Sequence, residues 1–405
     1  MKNNLIKPWL VLAVCCGLAA SSIGVCFNST GVFYQIVSQD LGVLKGTFTL
    51  HMTISSIVSA FGYLFIVKLI HHYPYKRILF TGVLATVITT ALMGMSHHVY
   101  EFYLLGAIRG LAIVTYSMVV ITIIIGYWFE KSHGLATSIV LSFSGVAGAV
   151  CSPILSHCIE AFGWRHAHFI MAGMVALLCL PALLLSFQID PANENMHPYG
   201  YDPNNVIIQS NNETIVFNPL KISFITFVIF AILMTAITGI PSHFPSYALT
   251  LGLTSSIGAM MLSASMIGNI ISKLVIGFLS DRIGIVKAST IILIVNGIAS
   301  LLLITFTSAN ALIVGAALFG SIFSIGAVGI ALLTKEFFGT KRYSKVYPMV
   351  SFMTSISSAA SLTLVGYIYD FTHSYRYAFL MAITFVILGL ILLIFVRKTS
   401  KVDYD

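Results

Sequence analysis

The sequence predicts an all-α membrane protein, with twelve transmembrane helices arranged in two pseudo-symmetric six-helix bundles. Three observations support this prediction: an apolar composition, a series of apolar stretches long enough to span a bilayer, and a repeat of half the chain length. Of the 405 residues, 58% are hydrophobic and only 8% are charged. Soluble domains carry about 25% charged residues. This chain therefore belongs in a lipid bilayer rather than in water.

A helix needs about 20 apolar residues to cross the hydrocarbon core. By that length the chain contains twelve candidate spans, near 9–34, 47–67, 78–96, 100–128, 134–159, 166–188, 220–247, 255–280, 286–307, 309–334, 346–369 and 376–396. The segment 190–219 is long, polar and rich in Asn and Pro, which is typical of a linker. We therefore predict an N-terminal bundle over 1–189, a cytoplasmic linker over 190–219 and a C-terminal bundle over 220–405.

The lysines and arginines indicate the orientation, because cytoplasmic loops carry an excess of them. Sixteen of the 21 fall at positions predicted to be cytoplasmic, and three (Lys45, Arg165 and Arg376) fall outside. The remaining two, Arg109 and Lys273, lie within spans. We predict a multi-pass protein of the cell membrane with both termini in the cytoplasm. The net charge of +8 is then a signal of topology and does not indicate nucleic acid.

The two halves of the sequence resemble each other. The segment VKLIHHYPYKR at 67–77 corresponds to GFLSDRIGIVK at 277–287, at an offset of 210 residues. The aromatic pair at 128–129 corresponds to the pair at 337–338, at an offset of 209. A repeat in the same orientation is typical of two bundles related by an axis along the membrane normal.

These segments resemble the major facilitator superfamily over nearly the whole chain. The match to its loop signature between helices 8 and 9 rests on Gly277, Asp281, Arg282, Gly284 and Lys287. The resemblance implies that this loop takes part in conformational switching. In the first-half copy, His71 stands where the family has an aspartate and Pro74 where it has a glycine. The segment LGAIRGLA around Arg109 is similar to the family's arginine motif in helix 4.

A narrower resemblance is to the monocarboxylate transporters and the oxalate/formate antiporters. The segments that carry it are 124–148, 162–173 and 269–284. In those branches helix 8 has an arginine eight residues before the loop aspartate, and Lys273 occupies that position here. Animal monocarboxylate carriers have an acid one turn earlier, where this chain has Asn269, and a lysine in helix 1, where it has Asn28. The resemblance implies an organic anion as cargo without identifying it.

Lys273 is the first candidate for substrate binding, because it is a cation in an otherwise apolar stretch from Ser255 to Asp281. Ionisable residues within spans are functional candidates by default. Eight residues of helix separate it from Asp281, which corresponds to roughly 12 Å. We predict that an anionic substrate neutralises Lys273. The alternatives are a lysine that snorkels to the cytoplasmic interface or one with a structural partner.

Four further residues are candidates, and three of them have a structural alternative. Arg109 either binds a carboxylate through two hydrogen bonds or bonds to backbone carbonyls. Tyr116 lies on the same helix face seven residues later and either shares that ligand or packs in the core. Asn28 either binds substrate or joins helices as a small polar residue. Asn269 is a candidate because the resemblance places it where animal monocarboxylate carriers have an acid.

Helix 7 contributes His243 and Tyr247. Gly239 and Pro241 precede them, and such interruptions bend carrier helices and expose their backbone. An imidazole at this place could relay a proton. The alternative is a hydrated histidine at the outer interface.

We therefore predict a secondary transporter for a small organic anion that works by alternating access, through anion exchange or proton-coupled symport. A monocarboxylate is favoured over a dicarboxylate, because helix 11 lacks the second cation of the oxalate carriers. The expected partners are the anion, protons or a counter-anion, and the bilayer; a monomer without cofactor or metal is expected. No nucleotide-binding loop or nucleophile–base spacing occurs in the sequence, so an enzyme is not expected.

Two other functions remain open at this point. One is an efflux carrier for drugs or other amphipathic compounds. Such carriers usually display an acid in the cavity, and no Asp or Glu falls in a predicted membrane core. The other is a membrane sensor derived from a carrier, which would be expected to carry an added cytoplasmic domain.

Overall fold

The computed structural model describes residues 6–130, 133–201 and 219–404, which are almost entirely helical. The α-helices are α1 Ile6–Ala19, α2 Tyr34–Asp40, α3 Lys45–His72, α4 Tyr75–Met93, α5 Val99–Val114, α6 Met118–Trp128, α7 His133–Leu184, α8 Ile222–Thr235, α9 Phe244–Thr250, α10 Ser255–Ile283, α11 Ile285–Thr305, α12 Ala309–Phe319, α13 Ile322–Ser324, α14 Ile330–Thr372 and α15 Arg376–Tyr404. Two π-helical segments, Ala20–Asn28 and Ile325–Gly329, continue α1 and α13. Within the described ranges there is no strand, only an isolated bridge between Phe129 and Tyr199.

Ten stretches of helix among the described residues are long and apolar enough to cross a membrane. They are Ile6–Asp40, Tyr75–Met93, Val99–Trp128, Ile139–Leu184, Ile222–Thr250, Ser255–Ile283, Ile285–Thr305, Ala309–Gly339, Met349–Thr372 and Arg376–Ser400. Helices suit this environment because every backbone N–H and C=O must be satisfied within the segment when water is absent. The predicted all-helical, multi-pass class is confirmed.

The chain forms two compact units. The first comprises the described residues of Met1–Thr30 and Ile54–Asn212, and the second those of Gly31–Thr53 and Glu213–Asp405. The short segment Gly31–Thr53 thus packs with the C-terminal part of the chain, although it precedes most of the first unit in sequence. The division into bundles on either side of 190–219 stays a prediction, and residues 202–218 of that linker lie outside the described residues.

The beginning of the predicted linker is folded against the first unit. Glu194 forms an ion pair with Lys7 on α1, and its other carboxylate oxygen accepts the backbone N–H of Gln188 at 2.7 Å. The indole Nε1 of Trp128 donates to the carbonyl of Gln188 at 2.9 Å. The backbone N–H of Tyr199 donates to the carbonyl of Trp128 at 2.8 Å. These bonds attach the segment to the ends of α1 and α6, so it is not a free spacer.

Candidate functional site

Lys273 lies on α10 in the second unit and is half-buried. Among the residues that the structure describes, it forms no hydrogen bond and no ion pair. One turn earlier, Asn269 is 5% exposed, and its Oδ1 has no hydrogen-bond partner in the described part of the chain. Residues four apart lie on the same helix face. This face of α10 therefore presents an ammonium and an amide oxygen whose hydrogen-bonding capacity the described residues leave unused.

The helix that carries Lys273 is held closely against α12. A Cβ atom at Gly268 would overlap the carbonyl oxygen of Ala317, and one at Gly320 would overlap the carbonyl oxygen of Ser265. Small residues at such crossings let two helix backbones approach each other in a membrane. This close backbone contact fixes the position of α10 at a point about one turn before Lys273.

The loop motif after α10 forms an exposed turn. Gly284 separates α10 from α11 with φ 84° and ψ 150°, a conformation that residues with a Cβ rarely adopt. Its N–H donates to the carbonyl of Ser280 at 3.0 Å. The charged residues of the motif are exposed and form no ion pair with any described residue: Asp281, Arg282 and Lys287. A role of Gly277 and these residues in switching stays a prediction, and the side chain of His71 in the first-half copy lies outside the described residues.

Arg109 is enclosed in the first unit. It lies on α5 with only 1% of its surface exposed, and its Nη1 is 3.5 Å from the Sδ of Met93 on α4. The structural alternative for Arg109, bonds from the guanidinium to backbone carbonyls, stays a prediction. Binding of substrate by this residue stays a prediction.

Asn28 and Tyr116 are the other candidates in the first unit. Asn28 ends the π-helical segment and is half-buried, and its Nδ2 donates to the carbonyl of Ser144 on α7 at 3.1 Å. The wide turn is closed by a bond from the N–H of Ser29 to the carbonyl of Gly24 at 3.1 Å. π-Bulges inside α-helices are frequent at functional sites. Tyr116 is fully buried in the turn between α5 and α6.

His243 and Tyr247 are buried in the second unit. His243 is 1% exposed, with its Nε2 2.9 Å from the carbonyl oxygen of Leu362 and its Nδ1 3.5 Å from the Oη of Tyr375. Leu362 of α14 and Tyr375 in the turn before α15 cover the ring, so His243 is not hydrated in this structure. Its place at the outer interface and its role as a proton relay stay predictions. Tyr247 donates from its hydroxyl to the carbonyl of Leu303 at 2.5 Å.

A buried polar cluster beside His243 was not predicted from the sequence. Lys45 is 5% exposed, and its Nζ lies 3.4 Å from the ring centroid of Tyr369 and 3.5 Å from the Oη of Tyr375. The carboxylate of Asp370 accepts the backbone N–H of Lys45 at 3.1 Å. We call Lys45, Tyr369, Asp370, Tyr375 and His243 the Lys45 cluster. In the sequence, Lys45 and Asp370 were visible only as charges at the ends of predicted spans.

The candidate residues thus divide between the two units. Asn28, Arg109 and Tyr116 lie in the first, and His243, Tyr247, Asn269 and Lys273 lie in the second. Within the second unit, the rings of His243 and Tyr247 both lie within 6 Å of the ring of Tyr375.

Comparison with known proteins decides the family. The sequence profile of the Major Facilitator Superfamily matches residues 12–268 and 222–403. The chain belongs to the Major Facilitator Superfamily. It is therefore a multi-pass membrane transporter and not an enzyme, and the resemblance to this superfamily predicted from its loop and helix motifs is confirmed.

Relatives within the superfamily share about a quarter of their residues with this chain. It is 26% identical over 303 residues to monocarboxylate transporter 12 of Xenopus laevis, a match that covers 70% of this chain and 65% of that protein. It is 25% identical over 314 residues to the sialic acid transporter NanX of Escherichia coli K12, covering 77% and 75% of the two chains. The narrower resemblance to monocarboxylate transporters is confirmed, although the chain spans just under two thirds of the frog protein.

Solved structures show the same fold. A bacterial homologue of the human lysosomal transporter Spinster superposes with a TM-score of 0.72 at 12% identity, covering 99% of this chain and 98% of that one. The nucleoside transporter NupG superposes with a TM-score of 0.71 at 13% identity, covering 98% and 99%. At such identities the likeness concerns the fold and not the cargo.

Proposed function

We propose that this transporter carries a small organic anion, in particular a monocarboxylate, across the cell membrane by alternating access. The observation that carries the proposal is Lys273, a half-buried ammonium on α10 with no bond to any described residue. A carboxylate would neutralise it and accept its hydrogen bonds, and charge-assisted bonds of this kind are the stronger ones in proteins. The names of the two relatives, a monocarboxylate transporter and a sialic acid transporter, both point to acids.

The proposed architecture is twelve spans in two six-helix bundles, with both termini in the cytoplasm. Two features support two spans beyond the ten stretches found in the described residues. Helix α3, Lys45–His72, has 28 residues, enough to cross the hydrocarbon core. The stretch Ile139–Leu184 has 46 residues and is interrupted at Gly163, at φ 81° and ψ 161°. Its length corresponds to roughly 69 Å of helix, about twice the thickness of the core.

In the proposed cycle, the two bundles rock about a site near the middle of the membrane. An unneutralised Lys273 is costly to enclose in a low-dielectric interior, because burial disfavours an isolated charge. Bound anion removes that cost, so closure around the loaded carrier is favoured over closure around the empty one. Asn269, one turn away, would orient the anion by a hydrogen bond. We propose a monomer as the transporting unit, with anion exchange and proton symport as the two candidate modes of coupling.

The proposal is tested by uptake of a panel of labelled carboxylates into proteoliposomes that contain wild type, Lys273→Ala or Lys273→Arg. We expect Lys273→Ala to lose at least about tenfold in uptake and Lys273→Arg to keep part of it, because arginine retains the charge. Lys335→Ala, which removes an exposed lysine on α14, is the matched control and should transport normally. Undiminished uptake by Lys273→Ala would overturn the proposal.

The same vesicles distinguish the modes of coupling. Faster uptake with an unlabelled anion inside indicates exchange, and faster uptake driven by a pH gradient alone indicates proton symport. Adding cationic amphipathic dyes to the panel tests the efflux alternative. Transport of dyes without transport of carboxylates would replace our proposal by that alternative.

A further inference from the structure

We propose that Lys45, Tyr375 and His243 form a pH-sensitive latch that closes the outer side of the transporter while His243 is neutral and releases it when His243 gains a proton. The inference rests on the proposed function, since it presumes a cycle in which the outer ends of the predicted halves 1–189 and 220–405 separate. Lys45 comes from the first of these predicted halves and the other two residues from the second, although all three lie in the second compact unit of this structure. The positive-inside count places Lys45 on the outer side.

The first step is the attachment of α3 to the end of α14. The carboxylate of Asp370 accepts the backbone N–H of Lys45 at 3.1 Å and that of Gly46 at 2.7 Å. The first N–H groups of a helix have no partner inside the helix, and a carboxylate there is favoured by the helix dipole. Asp370 thus caps α3 from a position 325 residues away in sequence.

Close packing accompanies the cap. A Cβ atom at Gly366 would lie 2.7 Å from the Cα of Gly46, and one at Gly46 would lie 2.6 Å from the ring of Tyr367. Both distances are too short for a real side chain, so glycine is needed at each place for the backbones to meet. The start of α3 therefore docks on α14 through matched surfaces rather than through one hydrogen bond.

The second step is a chain of hydrogen bonds in which the donor and the acceptor of each bond are determined. The carbonyl oxygen of Leu362, 2.9 Å from the Nε2 of His243, can only accept, so Nε2 carries the proton. In a neutral imidazole the other nitrogen then accepts. Nδ1 therefore accepts a hydrogen bond from the hydroxyl of Tyr375 at 3.5 Å. The Tyr375 oxygen in turn accepts a hydrogen bond from the Nζ of Lys45 at 3.5 Å. Lys45 is connected to His243 only while the imidazole is neutral.

A proton on His243 would break this chain. Both ring nitrogens of an imidazolium are donors, so Nδ1 would no longer accept from Tyr375. A second positive charge would also be buried near the ammonium of Lys45. Six titratable or charged groups among the described residues face His243 or its chain of hydrogen bonds. They are Lys45 from α3, Tyr34 from α2, Tyr369 and Asp370 from α14, Tyr375 from the turn before α15, and Tyr247 from α9. Asp370, the acid among them, already binds the start of α3.

Protonation is therefore favoured in a conformation that lets water reach His243, and a state that binds a proton better gains population as the pH falls. A hydrated histidine titrates near pH 6.5. Acid on the outer side should hold the transporter open to that side, whereas neutral or alkaline medium should close it. For a carrier of organic acids, the outward-facing state is then more populated when the outer medium has a low pH.

The test reads accessibility and does not require transport. Ala248 is fully buried on α9. In right-side-out vesicles, the rate at which Ala248→Cys reacts with an impermeant maleimide reports opening, after subtraction of the rate of the native cysteines. Each rate is divided by that of Leu44→Cys, since Leu44 is exposed, so the thiol's own ionisation cancels. We expect the ratio to rise roughly tenfold between pH 7.5 and pH 5.5, the change that protonation linkage at one site readily supplies.

Two variants and a control decide the outcome. His243→Gln keeps a donor and an acceptor but cannot be protonated, so its ratio should be low and independent of pH. Tyr375→Phe removes the middle of the chain, so its ratio should be high at both pH values. His373→Gln removes an exposed histidine nearby and should keep the wild-type response. A histidine that merely packs would shift the ratio equally at every pH.

The latch is overturned if wild type shows no pH response or if His243→Gln keeps it. Should His243→Gln fail to fold, Tyr375→Phe alone decides, because a ratio that still responds to pH contradicts the chain. The Lys273→Ala variant is expected to lose transport while keeping the accessibility response. A failure of the anion proposal and a failure of the latch are therefore distinguished in the same set of vesicles.

Discussion

The helix pair α3 and α5 meets in the same way as the pair α10 and α12, 210 residues further along the chain. In the first pair, a Cβ atom at Gly110 would overlap the carbonyl oxygen of Ser55. In the second, a Cβ atom at Gly320 would overlap the carbonyl oxygen of Ser265. Both members of the contact are displaced by the same 210 residues. The repeat seen in the loop sequences therefore extends to a backbone contact between helices.

The charges do not follow this repeat. Lys273 on α10 corresponds to Tyr63 on α3, and Arg109 on α5 corresponds to Phe319 on α12. Lys273 is half-buried without a bond to the described residues, whereas Arg109 is 1% exposed and contacts Met93. The contact common to both helix pairs determines how the helices pack. The cations Lys273 and Arg109 lie at non-equivalent positions of the repeat and have different surroundings.

The largest expected effect separates these two cations. We expect Lys273→Met to lower transport roughly 10- to 100-fold, from loss of the proposed charge-assisted hydrogen bond of about 1.5–3 kcal/mol to the cargo. The midpoint temperature of its thermal unfolding in detergent should be unchanged or higher, because a costly buried charge is removed. Arg109→Met should instead lower the free energy of unfolding by about 1.5–3 kcal/mol. If Arg109→Met instead has normal stability but has lost transport, the two cations have the same role.

The shared glycine contact gives the next effect. Gly110→Ala and Gly320→Ala should each destabilise the fold by about 1–3 kcal/mol, the usual cost of overpacking, since both methyl groups would overlap a backbone oxygen. Gly297→Ala on α11 is the control, because the nearest atom to its Cβ position is 3.6 Å away. Unfolding curves of the three purified variants provide the measurement. If only one of the two contact variants is destabilised, the contact is not equivalent in the two halves.

The smallest effect concerns Tyr247, whose counterpart 210 residues earlier is the buried Val37. Tyr247→Phe removes the 2.5 Å bond to the carbonyl of Leu303 and should cost about 0.5–1.5 kcal/mol of stability. Transport by the folded variant should be normal. Tyr377→Phe, at an exposed ring, is the control for the loss of a hydroxyl. Loss of transport without loss of stability would instead place Tyr247 at the cargo.

Much of the fold was predictable because it follows from short-range properties of the chain. Composition and span length identified the helical membrane class, and the motif around Asp281 identified the superfamily. Lys273 was predictable as a candidate because a charge inside an apolar stretch is visible in sequence. Its lack of a bond to the described residues was not, since that depends on which side chains of other helices reach it.

The Lys45 cluster was missed for a related reason. His243 is buried by Leu362 and Tyr375, which are more than 100 residues away in sequence. The sequence around His243 does not indicate these contacts. The Asn and Pro content likewise predicts a spacer at the beginning of the linker. It is held in place by partners on α1 and α6, such as Lys7 and Trp128.

The π-helical segment Ala20–Asn28 has a consequence for aligning this chain with its relatives. Its wide turns, such as the one closed by Ser29 and Gly24, hold one residue more than α-helical turns do. A relative with a regular first helix would need a one-residue gap inside this segment for its later side chains to point the same way. Matching Asn28 by simple counting to the helix 1 lysine of animal monocarboxylate carriers is correct only where the relative has the same additional residue.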